Sequence, residues 1–177
     1  MKNIVLIGYM GAGKSTVGIQ LSDRFQIAFE DTDQVIEKRQ NMAVSEIFEK
    51  YGEESFRTME TELLAQMAER KGRRVIALGG GTPMRFENRE RIKALGIVIY
   101  LRARPDTIME RLSGDTSRPL LRGSGARQKI EQMLKERGPV YESLSDLTVD
   151  TDGKAFENIV DEIGGFYEAA CNKRTEP

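Results

Sequence analysis

Histidine is absent from the 177 residues of this chain. Any general base must therefore be a carboxylate, a lysine, a tyrosine or the single cysteine. Ser-His-Asp chemistry and histidine-ligated metal sites are excluded together. Cysteine occurs once, as Cys171, so no internal disulfide can form and a reducing, cytoplasmic setting is expected. No apolar stretch approaches the length needed to span a membrane. Lys2 and the run Ile4-Val5-Leu6-Ile7 are too short for a signal peptide, and glycine-rich sequence interrupts them. The balance of 27 basic and 28 acidic side chains, a net charge of -1, argues against a general nucleic-acid binder, which is usually basic. No fixed-period repeat occurs. With 39% hydrophobic and 31% charged residues, the composition suits one soluble domain over 1–170, with 171–177 as a frayed polar tail.

Residues 8 to 15 read Gly8-Tyr9-Met10-Gly11-Ala12-Gly13-Lys14-Ser15, directly after the apolar run. The pattern G-x-x-x-x-G-K-[ST] marks a phosphate-binding loop when it follows a strand and opens a helix. Ile4 to Ile7 is a buried-strand candidate, and Thr16 to Leu21 starts a helical pattern. Glycines let such a loop fold tightly with its N–H groups pointing inward. Gly11, Ala12, Gly13 and Thr16 are expected to meet the nucleotide with Lys14, which would neutralise the β and γ phosphates. Ser15 would sit on Mg²⁺, and the helix N-terminus adds a favourable field.

Short apolar strands are predicted at Asn3–Ile7, Ile27–Glu30, Arg74–Leu78 and Ile97–Leu101, with a weaker fifth at Leu147–Asp150. Helical patterns lie between them, at Thr16–Arg24, Asp33–Gln40, Val44–Tyr51, Glu53–Lys71, Glu87–Leu95, Asp106–Leu112, Ala126–Lys135 and Lys154–Ala170. Alternation of this kind implies an α/β fold with a parallel sheet covered on both faces. Ligands of such sheets gather at the carboxyl ends of the strands. The unusual residues stand at those ends: the glycine-rich loop, Asp31 and Asp33, and Gly79-Gly80-Gly81.

Asp31, after the second strand, could hold Mg²⁺ or its waters, since magnesium takes oxygen ligands. Asp33 could accept a hydrogen bond from a hydroxylated substrate and take its proton. The pair could equally cap the following helix, and the two roles are compatible. Three consecutive glycines suit either a sharp turn or a backbone approached closely by a ligand or another chain segment. The apolar run that leads into them, Val75 to Leu78, does not end in Asp, so Asp31 is the better metal candidate. In segment 111–137, seven basic residues including Arg111, Arg118, Arg122 and Arg127 face only Asp115, Glu131 and Glu136. Gly114, Gly123 and Gly125 bracket an aperiodic stretch. It reads either as a lid closing over polyphosphate or as a solvated surface loop.

Taken together, these features resemble the shikimate kinases from Lys2 to about Ile163. The resemblance rests on Gly8 to Gly18, Asp31-Thr32-Asp33, Gly52-Glu53 with Phe56-Arg57 and Glu60, and Leu78-Gly79-Gly80-Gly81-Thr82. Arg118-Pro119-Leu120-Leu121 and Arg137 with Pro139 and Tyr141 complete it. The loop is shared by many NTPases, whereas the others in this order are far more specific. The resemblance implies ATP-dependent phosphorylation of the 3-hydroxyl of shikimate, in the route to chorismate and aromatic amino acids. It implies a five-stranded parallel sheet in a three-layer sandwich, like that of the nucleoside monophosphate kinases, with a substrate region near 31–61 and a mobile lid near 112–125. By motif, Asp33, Arg57, Gly79, Gly80, Gly81 and Arg137 would hold shikimate, and Glu60 would orient Arg57. Lys14, Ser15 and Asp31 would serve phosphate and magnesium, and Arg111 and Arg118 the nucleotide, with Lys14, Asp33 and Arg118 catalytic. The implied partners are shikimate and ATP, with neither nucleic acid nor membrane, acting as a monomer. Two departures are visible: Tyr9 where phenylalanine is common, and Asn41 where glycine is common. Asn tolerates positive φ, so the second is compatible with the same turn.

Three rivals remain as expectations to test. A regulatory GTPase would need an Asn-Lys-x-Asp motif, but Asn172-Lys173 is followed by Arg174-Thr175. A kinase of another acceptor, such as gluconate or a nucleoside monophosphate, would differ at the substrate motifs. A catalytically silent relative would not need Lys14, Asp31, Asp33, Arg57 and Arg137 together.

Overall fold

Alternation in the central strand decides the architecture. In β1 (Asn3–Ile7), Ile4 and Leu6 face one apolar cluster while Val5 and Ile7 face another, all four without exposure. A strand buried on both sides needs helices on both sides. The computed structural model describes residues 2–113 and 125–172. It has β2 at Ala28–Asp31, β3 at Arg74–Ala77, β4 at Gly96–Arg102 and β5 at Leu147–Asp150. Every pairing is parallel, in the order β2-β3-β1-β4-β5. The expected five-stranded α/β sandwich is present.

One face carries α1 (Lys14–Phe25), α6 (Pro105–Leu112) and α8 (Phe156–Asn172) through Val17, Leu21, Ile108, Ile159 and Ile163. The other carries α2 (Thr32–Gln40), α3 (Val44–Tyr51), α4 (Glu53–Ala68) and α5 (Phe86–Leu95) through Ile36, Ile47, Phe56, Leu63 and Ile92. Helix α7 (Ala126–Leu144) contributes to both clusters, with Ile130 on one side and Tyr141 and Leu144 on the other.

Several helix boundaries depart from the sequence reading, most of all at the end of α7. Helix α7 continues nine residues past Lys135, through Pro139. Proline lacks the N–H that would bond the carbonyl four residues earlier, but burial of Tyr141 and Leu144 holds the last turns. Helix α4 stops at Ala68 rather than Lys71, ahead of Gly72 at φ 90°. Helix α8 reaches Asn172, so Cys171 and Asn172 are helical rather than frayed, while 173–177 lie outside the described residues. Asn41 ends α2 at φ 51°, the left-handed turn expected of it. Among the described residues, no helix is long and apolar enough to cross a membrane.

Candidate active site

The loop from Gly8 to Gly13 joins β1 to α1 at the carboxyl edge of the sheet. Gly13 is the N-cap of α1 at φ 98°, a conformation that side chains rarely adopt, and a Cβ there would stand 2.8 Å from the Phe156 ring. The helix therefore opens on a residue with no side chain to cap it, leaving its first N–H groups as an anion site. Gly11 and Ala12 form the turn between, with the Ala12 N–H donating to the Tyr9 carbonyl at 3.2 Å. Lys14 folds back over the loop and donates from Nζ to the carbonyls of Gly8 at 2.8 Å and Tyr9 at 3.0 Å. Ser15 and Thr16 are exposed.

Asp31 ends β2 and reaches both ways. Its Oδ2 accepts from Ser15 Oγ at 2.9 Å, while Oδ1 accepts the N–H groups of Asp33 at 3.1 Å and Gln34 at 3.4 Å. Capping α2 thus occupies one oxygen and the other meets the phosphate loop. The two readings of Asp31 coexist. Capping in turn fixes the first turn of α2, from which Asp33 reaches the triple glycine.

Gly79, Gly80 and Gly81 follow β3 and form a floor on which charged side chains rest. A Cβ on Gly79 would stand 2.5 Å from Asp33 Oδ1 and 2.6 Å from Glu60 Oε1. One on Gly80 would stand 3.7 Å from Arg137 Nη1, and one on Gly81 would overlap the Arg57 guanidinium. Close approach of side chains to the backbone accounts for Gly79 and Gly81, whereas at Gly80 the tightest neighbour is the Gly8 carbonyl oxygen, 3.3 Å from a Cβ placed there. Beyond them the chain enters a short 3-10 turn at Thr82–Met84.

Arg57, on α4, donates from Nη1 to Glu60 Oε2 at 2.7 Å and from Nη2 to Glu53 Oε1 at 2.8 Å. Its guanidinium lies over Phe56, 5.5 Å from the ring centroid. Burial lowers its pKa, but Glu60 and Glu53 outweigh that and leave it raised. Arg137, on α7, lies over the Tyr9 ring at 5.9 Å. One turn on, Tyr141 donates its hydroxyl to the Gly80 carbonyl at 2.6 Å. Burial pushes that hydroxyl up to about 12, with Arg137 acting the other way. Two cations therefore stand above one glycine floor, beside a carboxylate from α2.

Arg111 serves the other side of the loop. It donates to the carbonyls of Ala12 at 3.0 Å and Thr151 at 3.0 Å and lies over Phe156 at 5.3 Å. Burial lowers its pKa against the pull of Asp152 and Glu110. Arg118 and all of the expected lid except Leu112, Ser113 and Gly125 lie outside the described residues. The sequence reading did not single out Thr151, Phe156 or Thr82. Nothing in spacing marks Phe156 or Thr151, which reach the loop from the far end of the chain. Thr82 did carry a signal, as the polar residue ending the triple-glycine motif.

A phosphate loop with its lysine, facing a cationic pocket at the carboxyl edge of a parallel sheet, defines an ATP-dependent kinase of a small molecule. The family model for shikimate kinase (SKI) matches residues 10–168. The chain belongs to the shikimate kinase family. The shikimate kinase of Thermodesulfovibrio yellowstonii is 43% identical over 99% of this chain and 100% of its own. That of Francisella tularensis subsp. novicida is 44% identical over 93% of this chain and 94% of its own. Among solved structures, the Acinetobacter baumannii shikimate kinase in complex with shikimate superposes with a TM-score of 0.89 at 37% identity, covering 96% of this chain and 94% of that one. A gluconokinase from Sinorhizobium meliloti has a TM-score of 0.61 at 17% identity, over 97% of each chain, a likeness of fold alone.

Proposed function

We infer that this protein transfers the γ-phosphoryl group of ATP to the 3-hydroxyl of shikimate, giving ADP and shikimate 3-phosphate. The observation that carries this reading is the placing of Arg57, Arg137 and Asp33 over one glycine floor, across from Lys14 on the phosphate loop. Shikimate is a hydroxylated carboxylate. It wants planar cationic forks for its anion and an acceptor for its hydroxyl.

In this reading Arg57 and Arg137 grip the substrate carboxylate, and the glycine floor lets the ring lie close to the backbone. Asp33 accepts the hydrogen bond of the 3-hydroxyl. As that oxygen bonds to the γ phosphorus and the bond to ADP breaks, Asp33 takes the proton. Lys14 exchanges the carbonyls of Gly8 and Tyr9 for β and γ phosphate oxygens, so its charge is in place before the reaction. Arg111 braces the loop and meets the nucleotide, and Arg118, outside the described residues, would supply further charge to the phosphates. Ser15 Oγ and Asp31 Oδ2, 2.9 Å apart, are oxygen donors of the kind Mg²⁺ takes, and its preference for retained waters fits so small a donor set. Bound there, Mg²⁺ would neutralise charge on the β and γ phosphates. We assign the protein to the cytoplasm, a reading supported by its single cysteine, Cys171, and propose that it acts as a monomer.

A coupled ADP-release assay tests the reaction with Mg²⁺, ATP and a panel of acceptors. Shikimate should give ADP and shikimate 3-phosphate, whereas gluconate, adenylate and cytidylate should not. Turnover of any of these without shikimate activity would overturn the assignment.

A further inference from the structure

Behind Arg57 lies a chain of buried hydrogen bonds that starts outside the acceptor pocket. Asn88, on α5 and fully buried, donates from Nδ2 to the Thr82 carbonyl at 3.0 Å. Thr82, 1% exposed, donates its hydroxyl to Glu60 Oε1 at 2.5 Å. Glu60, also 1% exposed, accepts from Arg57 Nη1 on its other oxygen, Oε2, at 2.7 Å. The Thr82 N–H donates to the Gly79 carbonyl at 3.1 Å, tying the same residue to the glycine floor.

A carboxylate is planar, so fixing one oxygen fixes where the other points. Glu60 is too buried for water to take over from the hydroxyl, and a buried acceptor without a donor is costly. Glu60 without its Thr82 bond is free to turn about its last torsion, which is soft and broad. Arg57 follows it, because the Glu60 bond is the one that comes from inside the protein. Its second partner, Glu53, is largely exposed and gives a softer hold.

We propose that Thr82 is a positioning residue for the acceptor: its hydroxyl locks the Glu60 carboxylate, which aims Arg57 at the carboxylate of shikimate. This rests on the reading of the acceptor given above. Thr82 and Asn88 are buried and present no surface for a substrate to touch. The loop and Lys14 are held by other bonds, so nucleotide binding is independent of the lock.

Thr82→Val replaces the hydroxyl with a methyl of similar size, and Thr82→Ser keeps the hydroxyl. With the parent enzyme first shown to phosphorylate shikimate, steady-state kinetics and calorimetric titration with shikimate alone are run on both variants. Thr82→Val should raise the shikimate KM and weaken shikimate binding roughly tenfold, the size expected for one hydrogen bond to a charged group. Its ATP KM should stay within about twofold, and Thr82→Ser should recover most of the loss. Thr82→Ala carries the same expectation should Thr82→Val fail to fold. An unchanged shikimate KM, an equal rise in both KM values, no recovery by Thr82→Ser, or failure of both Val and Ala variants to fold would each overturn the proposal. Absence of shikimate turnover in the parent would instead overturn the assigned reaction, and the titration would then test whether Thr82 affects shikimate binding at all.

Discussion

Replacing Gly81 by alanine isolates the aim of Arg57 from every other property of the pocket. Gly81 has φ -87° and ψ -18°, an ordinary conformation for any residue, so the substitution stores no backbone strain. A Cβ there would stand 2.5 Å from Arg57 Nη2 and overlap Nη1 and Cζ. Ordinary contact for such atoms is about 3.5 Å, so the guanidinium must shift by about 1 Å. It sits at the end of a long flexible side chain and can do so without moving the backbone. The shift draws it off Glu60, 2.7 Å away, and Glu53, 2.8 Å away, and misplaces the fork meant for the substrate anion. A hydrogen bond between charged groups contributes about 1.5–3 kcal/mol, so the shikimate KM should rise roughly tenfold to 150-fold. The ATP KM should stay near that of the parent. Melting should fall by about 3–12 °C, since the weakened Glu60 bond is worth the same 1.5–3 kcal/mol and 1 kcal/mol moves a domain of this size by about 2–4 °C. Coupled ADP-release kinetics at saturating ATP, with a thermal melt alongside, measure all three. A folded Gly81→Ala enzyme with an unchanged shikimate KM would refute the placing of Arg57 on the substrate.

Lys14→Met removes the charge proposed to meet the migrating phosphoryl group, so turnover should fall on the order of 10² or more with an intact circular dichroism spectrum; near-normal activity would mean the loop is not the phosphate site. Gly96→Ala is a contrast to Gly81→Ala, because its Cβ would meet the Asn3 backbone, 2.8 Å from the carbonyl carbon, and backbone inside a sheet cannot yield. Denaturant titration should show about 1–3 kcal/mol lost with the shikimate KM unchanged in the folded fraction. Burial pushes the Asp152 carboxyl up, but hydrogen bonds from Thr107 and the Arg104 N–H, with the Arg104 charge, outweigh it and leave the pKa lowered from 3.8. A carboxyl lowered on folding adds stability above its unfolded value and loses it as pH falls through the folded one. Asp152→Asn should therefore be less stable at neutral pH and show a flatter decline in melting temperature below about pH 4; an unaltered acid limb would mean Asp152 does not contribute to it.

The strands were legible because each is a short apolar run ending in turn residues, and β1 and β5 match their expected limits. The end of α7 was not, because Gly138 and Pro139 argue locally for a stop and only tertiary burial of Tyr141 and Leu144 overrides them. At the site, Lys14, Asp31, Asp33 and the three glycines were singled out on residue type and order, Arg57 and Arg137 only through the family resemblance, and the fold brings them to one edge. What spacing could not convey was how each is held. Tyr141 was visible only as part of a motif, and its bond to the Gly80 carbonyl joins residues 61 apart. The bracing of Ala12 by Arg111 joins residues 99 apart, and such contacts follow from the closed sheet rather than from any local pattern.

In the proposed reading, the two faces of the sheet divide the work between the two reactants. The cluster around Ile4 and Leu6 takes in Tyr9, Ala12, Val17 and Ile108, so it supports the phosphate loop and the helices that bear Lys14 and Arg111. The cluster around Val5 and Ile7 takes in Ile36, Phe56, Leu78 and Tyr141, so it supports the helices that bear Asp33, Arg57 and Arg137. A core substitution on one face should then disturb one reactant before the other, because close-packed interiors pass strain to their immediate neighbours. Phosphoryl transfer needs the two halves in fixed relation, and strand β1 supplies it. Its alternate residues belong to opposite clusters, and its last residue, Ile7, leads directly into Gly8. That glycine lies against both the Leu101 carbonyl of β4 and the Gly80 backbone that extends β3. The phosphate loop therefore leaves the sheet where one strand meets both of its neighbours, beside the glycines that follow β3.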